Sequence, residues 1–199
     1  MLVRSNERVA GEEGYFSGTG KRYEIRNVAT WDTNFIADAR NFALEDWKER
    51  GAAGKNVMLE LANGSMAAHI SEFPIGTYKK AHYHGPGAHV IILSGKGYSL
   101  MWHPGGEFVR VDWKPGSLLV PPEGWYHHHF TTSKKPARHL ALRRGLRLVG
   151  YPWRPNFSEH DGGHLLEHED EPPEVRAIYE AELKKEGIPF RMPPVEHKR

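Results

Sequence analysis

Gly76-Thr77-Tyr78-Lys79-Lys80-Ala81-His82-Tyr83-His84-Gly85-Pro86-Gly87-Ala88-His89 is the stretch that decides how this chain folds. Imidazole is the commonest protein ligand for a divalent metal. Residues at i and i+2 of a strand share a face, so His82 and His84 point the same way. The Gly85-Pro86-Gly87 turn then returns the chain, and His89 comes back to that face on the next strand. Further on, Pro121-Pro122-Glu123-Gly124-Trp125-Tyr126-His127 closes on a fourth imidazole. The pattern reads as four histidines converging on one metal inside a β-barrel.

The surrounding sequence supports the barrel. From Val57 to about Gly150, short runs alternate with turn residues. Strands are predicted over Val57–Leu61, Met66–Phe73, Tyr78–His84, His89–Ser94, Tyr98–Trp102, Phe108–Asp112, Ser117–Val120, Tyr126–Thr131 and His139–Leu148. Asn63-Gly64, Gly95-Lys96-Gly97, Pro104-Gly105-Gly106 and Pro115-Gly116 divide them. Many short strands with regular turns indicate an all-β barrel or sandwich. Before the barrel, a short strand is predicted at Tyr23–Val28 and a helix over residues 33–50, where Phe35, Ile36, Ala39, Phe42, Ala43 and Trp47 share one face. After it, residues 151–172 are polar and irregular. Pro173–Glu186 reads as a helix, with proline at its start and Gly187 at its end. The chain divides into an arm and helix (1–56), a barrel (57–150) and a lid-like segment with a terminal helix (151–199), one structural domain in all.

These motifs resemble those of the cupin superfamily. Its first motif runs Gly, five residues, His-x-His, three or four residues, Glu, then Gly. Gly76, His82, His84 and the pair Gly95 and Gly97 match it. The second runs Gly, five residues, Pro-x-Gly, two residues, His, three residues, Asn. Gly116, Pro122, Gly124 and His127 match it, with Thr131 in place of Asn. The resemblance spans roughly residues 66 to 145 and implies a double-stranded, jelly-roll-like β-barrel around a metal. Reaction type does not follow, because one fold hosts many activities.

His89 stands where the family pattern has Glu. Four neutral imidazoles would leave the cation's charge uncancelled, making a stronger Lewis acid. All-nitrogen ligation suits iron(II) first, with zinc, manganese, nickel or copper as alternatives. The metal ligands expected are His82, His84, His89 and His127, with a second-sphere imidazole as the other role for His89. Alternation puts Tyr78, Lys80, His82 and His84 on one face, with Lys79 reversed. His127 and His129 share another face, with His128 reversed. Ile91, Leu93 and Trp102 would form the wall. His129, Tyr78 and Lys80 are therefore the catalytic candidates: His129 as acid or base, Tyr78 as a hydrogen-bond donor, Lys80 as an anchor for a carboxylate or enolate. Each has a plainer alternative as a structural imidazole, a wall aromatic or a rim lysine. Arg143, Arg144 and Arg147 could anchor an anion, but Arg143 and Arg144 face oppositely on one strand, and surface charge is their default role.

At 199 residues the chain is long enough for one well-formed core. It has no cysteine, which excludes disulfides, thiolate ligands and cysteine nucleophiles. A formal charge of +2 with interspersed signs argues against a nucleic-acid surface. Without a signal-like or membrane-length apolar run, a cytoplasmic location is expected. Exposed sheet edges suggest a homodimer. His160, Asp161, His164 and His168 are metal-type residues in a loop that reads as solvated. The function expected is a metal-dependent enzyme on a small organic acid or phenolic compound, a non-haem dioxygenase first. A Lewis-acid decarboxylase, lyase, isomerase or cyclase, and a small-molecule-binding module, are the alternatives.

Overall fold

The computed structural model describes residues 16, 20–25, 28–52, 54–85, 87–145, 158–161 and 163–196. Eleven strands and one helix make up its regular structure: β1 (Lys21–Ile25), β2 (Val28–Asp32), β3 (Glu45–Asp46), β4 (Lys55–Leu61), β5 (Met66–Phe73), β6 (His89–Ser94), β7 (Gly97–Trp102), β8 (Val109–Trp113), β9 (Leu118–Leu119), β10 (Tyr126–Thr131), β11 (Ala137–Arg144) and α1 (Pro173–Glu186). One sheet runs β1-β2-β4-β5-β11-β6-β9, with β3 on β4, and the other runs β10-β7-β8. All pairings are antiparallel except β2 with β4. The fold is an all-β cupin barrel with one C-terminal helix.

Strand alternation sorts the side chains into three apolar layers. On β4, β5 and β11, Val57, Leu59, Ala68 and Ile70 face outward, where Trp31, Ile36, Ala39, Phe42, Leu140 and Leu142 cover them. Between the sheets, Phe73, Val90, Ile92, Trp113, Leu119, Ala137 and Ala141 form the barrel core. Outside the smaller sheet, Tyr98, Leu100, Trp102 and Phe130 pack against Val175, Tyr179 and Leu183 of α1. The strands flanking the interior thus bury both faces, one inside the barrel and one under an appended segment.

The helix predicted over 33–50 is not formed. Thr33 Oγ1 accepts the Phe35 N–H at 3.3 Å, and Asp38 Oδ1 accepts the Arg40 N–H at 2.8 Å. Asp38 Oδ2 also accepts from the Asn41 side chain at 2.7 Å. Such local bonds give the backbone an alternative to the helical ladder. Ile36, Ala39 and Phe42 still cover the outer face, and the segment ends in β3 and a 3₁₀ turn at Lys48–Arg50. The single strand expected at Tyr23–Val28 is instead the β1–β2 hairpin. No regular strand spans 78–84; isolated bridges from His82 to His127 and to Leu165 hold that stretch. α1 coincides with the predicted helix, and Gly187 closes it with φ of 66°. Among the described residues no helix is long and apolar enough to cross a membrane.

Two motif glycines have steric reasons. Gly76 has φ of 78°, and a Cβ there would lie 2.3 Å from the Pro189 carbonyl oxygen. At Gly97 a Cβ would meet the Phe130 carbonyl oxygen at 1.9 Å.

Candidate metal centre

His127 sits on β10, and His82 lies beside it on the irregular stretch ahead of β6. The His127 N–H donates to the His82 carbonyl at 2.9 Å, and the His82 N–H donates back at 3.4 Å. Gly124 N–H donates to the His84 carbonyl at 3.1 Å, so the second motif's turn also holds the first motif. The His82 and His127 Nε2 atoms stand 3.1 Å apart. One ligand atom from each of His82, His84 and His127 lies within 4.8 Å of the others. Among the described residues, no other group of metal-type donors converges this closely.

The donors suit a transition metal. Burial holds His82 and His127 well below the ordinary imidazole value, so both are neutral at pH 7 and keep a free lone pair. His127 Nδ1–H donates to the Trp125 carbonyl at 3.2 Å, which leaves Nε2 bare toward the cluster. A second-sphere bond of this kind fixes the tautomer and orientation of a ligand imidazole.

His89 does not join them. It is exposed at the start of β6, and alternation sends Val90 and Ile92 inward instead. Ile91 and Leu93, read as interior wall, share His89's parity and also miss the cavity lining. β6 therefore runs one residue out of the expected parity, and in a strand one residue inverts every side chain.

Tyr78 and Lys80 are also placed away from the cluster. Tyr78 is buried outside the smaller sheet, among His128, Phe130, His168 and Tyr179, with its hydroxyl on Glu171. Lys80 pairs with Glu167 at 2.5 Å. Lys79 is the interior lysine: its Nζ donates to Ser71 Oγ at 2.7 Å and to the Lys55 carbonyl at 3.0 Å. The prediction assumed regular alternation from 78 to 84. Tyr78 and Ala81 in fact both join the outer core while Lys79 and His82 turn inward, which a strand does not permit. Trp102, another expected wall residue, belongs to the outer core as well.

On β10 the alternation holds. His127 and His129 line the cavity, and His128 faces the opposite side with its ring nitrogen on the Lys79 carbonyl. Trp113 Nε1–H donates to Ser99 Oγ at 3.1 Å, and that oxygen lies 2.6 Å from His129 Nδ1. Indole can only donate, so the Ser99 hydroxyl proton is best spent on His129 Nδ1. The His129 proton then resides on Nε2. His129 is a donor in the cavity rather than a ready base.

The cavity has an accessible volume of about 50 Å³ and is lined by the metal cluster together with Arg50, His69, His129, His139 and Arg143, among others. His69 and His139 bring their Nε2 atoms to 3.3 Å. Burial lowers Arg50 and Arg143 to about 9, which leaves both charged at neutral pH. Sequence reasoning missed Arg50, which fell within the expected helix. Arg143 was read as surface charge, yet its parity with His139 on β11 was a usable signal.

The loop histidines form no second centre. His160 pairs with Asp170 at 2.8 Å, His164 packs on Tyr83 at 4.5 Å, and His168 reaches Glu171 at 3.4 Å. Their segment does flank the first motif: Tyr83 N–H donates to the His164 carbonyl at 3.2 Å, and Leu166 N–H donates to the Ala81 carbonyl at 3.0 Å. Arg147 lies outside the described residues.

A barrel that sets a His-x-His pair against a lone histidine from a Pro-x-Gly turn has the plan of a cupin, and this chain has that fold. No protein-family model matches the sequence, and no curated protein matches it. Solved structures do. The cupin domain of Cnp3 from Schizosaccharomyces pombe is 19% identical, with a TM-score of 0.45, over 56% of this chain and 69% of that one. A cupin 2 conserved barrel domain protein from Rhodopseudomonas palustris is 18% identical, with a TM-score of 0.43, over 52% of this chain and 72% of that one. The DMSP lyase DddQ from Ruegeria pomeroyi is 31% identical, with a TM-score of 0.34, over 42% of this chain and 40% of that one. Likenesses at these scores carry nothing about reaction or ligand.

Proposed function

We propose that this chain is a metal-dependent enzyme acting on a small organic acid, and that its reaction is a dioxygenation at non-haem iron(II). The observation that carries the reading is the convergence of His82, His84 and His127 at the wall of a small interior cavity. Three imidazole nitrogen ligands suit iron(II), which when bound would supply open positions for an oxygen-donor substrate and dioxygen. The chain's own residues then have defined tasks. His127, held by Trp125, keeps its Nε2 lone pair directed inward. His129, held by Ser99, offers an Nε2–H to an oxygen of the substrate. Val90, Ala88, Met58 and Pro121 give the lining an apolar part. Tyr78 and Lys80 have no place in this scheme.

Lewis-acid catalysis without oxygen is the second reading. It is favoured by the absence of any carboxylate among the described residues that line the cavity, which leaves a bound dication's charge undiminished. An oxygen electrode separates the two. Protein reconstituted with iron(II) is expected to consume oxygen with at least one member of a panel of hydroxy acids, keto acids and catechols. Turnover by zinc-loaded protein without oxygen would replace dioxygenation with the second reading. Stoichiometric binding without product under either metal would make the chain a binding module.

A further inference from the structure

Arg50 follows β3 in the 3₁₀ turn at Lys48–Arg50, and its side chain enters the cavity that the histidine cluster borders. The residue is only 8% exposed. Its guanidinium lies 5.5 Å from the Trp47 ring centroid, and among the described residues no carboxylate pairs with it. Burying a cation without a counter-charge is costly, and removal of the partner from a buried pair is what leaves such a charge exposed to that cost. Arg143, also in the lining, adds a second guanidinium and places Nη2 3.8 Å from Met58 Sδ. None of the described residues that line the cavity is Asp or Glu. A bound divalent metal would raise the positive charge further, so the buried charge of Arg50 is one that an anion in the cavity would answer.

We infer that the cavity takes a compact organic dianion, with one carboxylate toward the His82, His84 and His127 cluster and the second on the guanidinium of Arg50. The planar fork of arginine matches a carboxylate with two parallel hydrogen bonds. A cavity volume of about 50 Å³ disfavours an aromatic acid. His129 Nε2–H then serves whichever carboxylate oxygen lies nearer β10. This inference rests on the metal reading above for its first anchor and on Arg50 alone for its second.

The test is calorimetric titration of zinc-loaded protein with malonate and succinate, and with acetate and butyrate as single-charge comparators. A dicarboxylate is expected to bind the unaltered protein about tenfold or more tighter than either monocarboxylate, as a second charged contact predicts. Arg50→Met is expected to remove that preference with zinc content unchanged, and Arg50→Lys to restore part of it. Equal affinity for single and double anions in the unaltered protein would overturn the inference. So would a preference that survives Arg50→Met. Should Arg50→Met fail to fold, the unaltered protein and Arg50→Lys decide the matter. Zinc content separates this from the metal reading: protein that takes up no zinc overturns the metal reading and the first anchor with it, whereas zinc-loaded protein without a dicarboxylate preference overturns the Arg50 anchor alone.

Discussion

His82 and His127, from motifs 45 residues apart in the chain, exchange both of their backbone hydrogen bonds and bring their Nε2 atoms to 3.1 Å. The backbone pairing is what makes the side-chain approach repeatable, because each ring inherits its position from a fixed main chain. Irregular backbone around His82 is tolerated since this bridge holds it at the one point that matters.

Metal content should follow that geometry. His82→Ala and His127→Ala are expected to lose most bound metal, a drop in affinity of about 100-fold or more. His89→Ala should retain it, because His89 is exposed on β6 and apart from the cluster. Elemental analysis of proteins reconstituted with iron(II) or zinc checks both halves. Loss of metal in His89→Ala with intact fold would restore a four-histidine site.

Much of this arrangement was legible in the sequence. The bounds of β5, β6, β10 and α1 coincide with the predicted elements, since alternation and turn residues mark them clearly. His82, His84 and His127 were legible from the spacing of the two motifs rather than from alternation, since His82 and His84 lie on no regular strand. The inward lysine was not, because parity arguments need a continuous ladder and residues 77–81 form none. The helix over 33–50 failed because its apolar spacing was real but served a cover for β4 and β5, while Thr33 and Asp38 took the backbone bonds into turns. With that helix gone, Arg50 became an interior residue, and no local pattern announces such a change.

Acid should unfold the metal-free protein steeply. Burial holds His69, His82, His127, His128, His129 and His139 below the ordinary imidazole value of 6.5, with His128 at about 4. Between the depressed folded values and 6.5 the unfolded chain binds more protons, so stability is lost as pH falls through that window. Each such histidine contributes up to about 1.4 kcal/mol per pH unit. Urea unfolding of chelator-treated protein from pH 7.5 to 5 is expected to show the midpoint falling sharply below 6.5. A midpoint that stays level would contradict the neutral, buried state of these rings.

Lys79 should govern the alkaline side. Burial, with Arg50 adding to it, holds its amine well below the ordinary lysine value of 10.5. The unfolded chain therefore carries the extra proton between those two values, and stability from this residue rises with pH across that interval. Lys79→Met removes the titrating group and is expected to flatten the slope by up to about 1.4 kcal/mol per pH unit. Ser71 Oγ and the Lys55 carbonyl lose a donor in the variant, so its stability at high pH should fall by roughly 1–3 kcal/mol. Paired denaturation curves at pH 7.5 and 10 give both quantities, and an unchanged slope would place the Lys79 amine in water.

Ser99 should set the tautomer of His129. Its hydroxyl receives the Trp113 indole proton at 3.1 Å and lies 2.6 Å from His129 Nδ1, so it has one proton to give and one nitrogen to receive it. Nitrogen-15 spectra of the imidazole rings are expected to show His129 protonated on Nε2. Ser99→Ala leaves the Trp113 indole and His129 Nδ1 without their shared partner, and should shift His129 toward a mixture of tautomers. Metal content should be unaltered, because Ser99 touches none of the three cluster histidines. Finding Nδ1–H in the unaltered protein would reverse the role of His129, from a donor toward bound substrate to an acceptor able to take its proton.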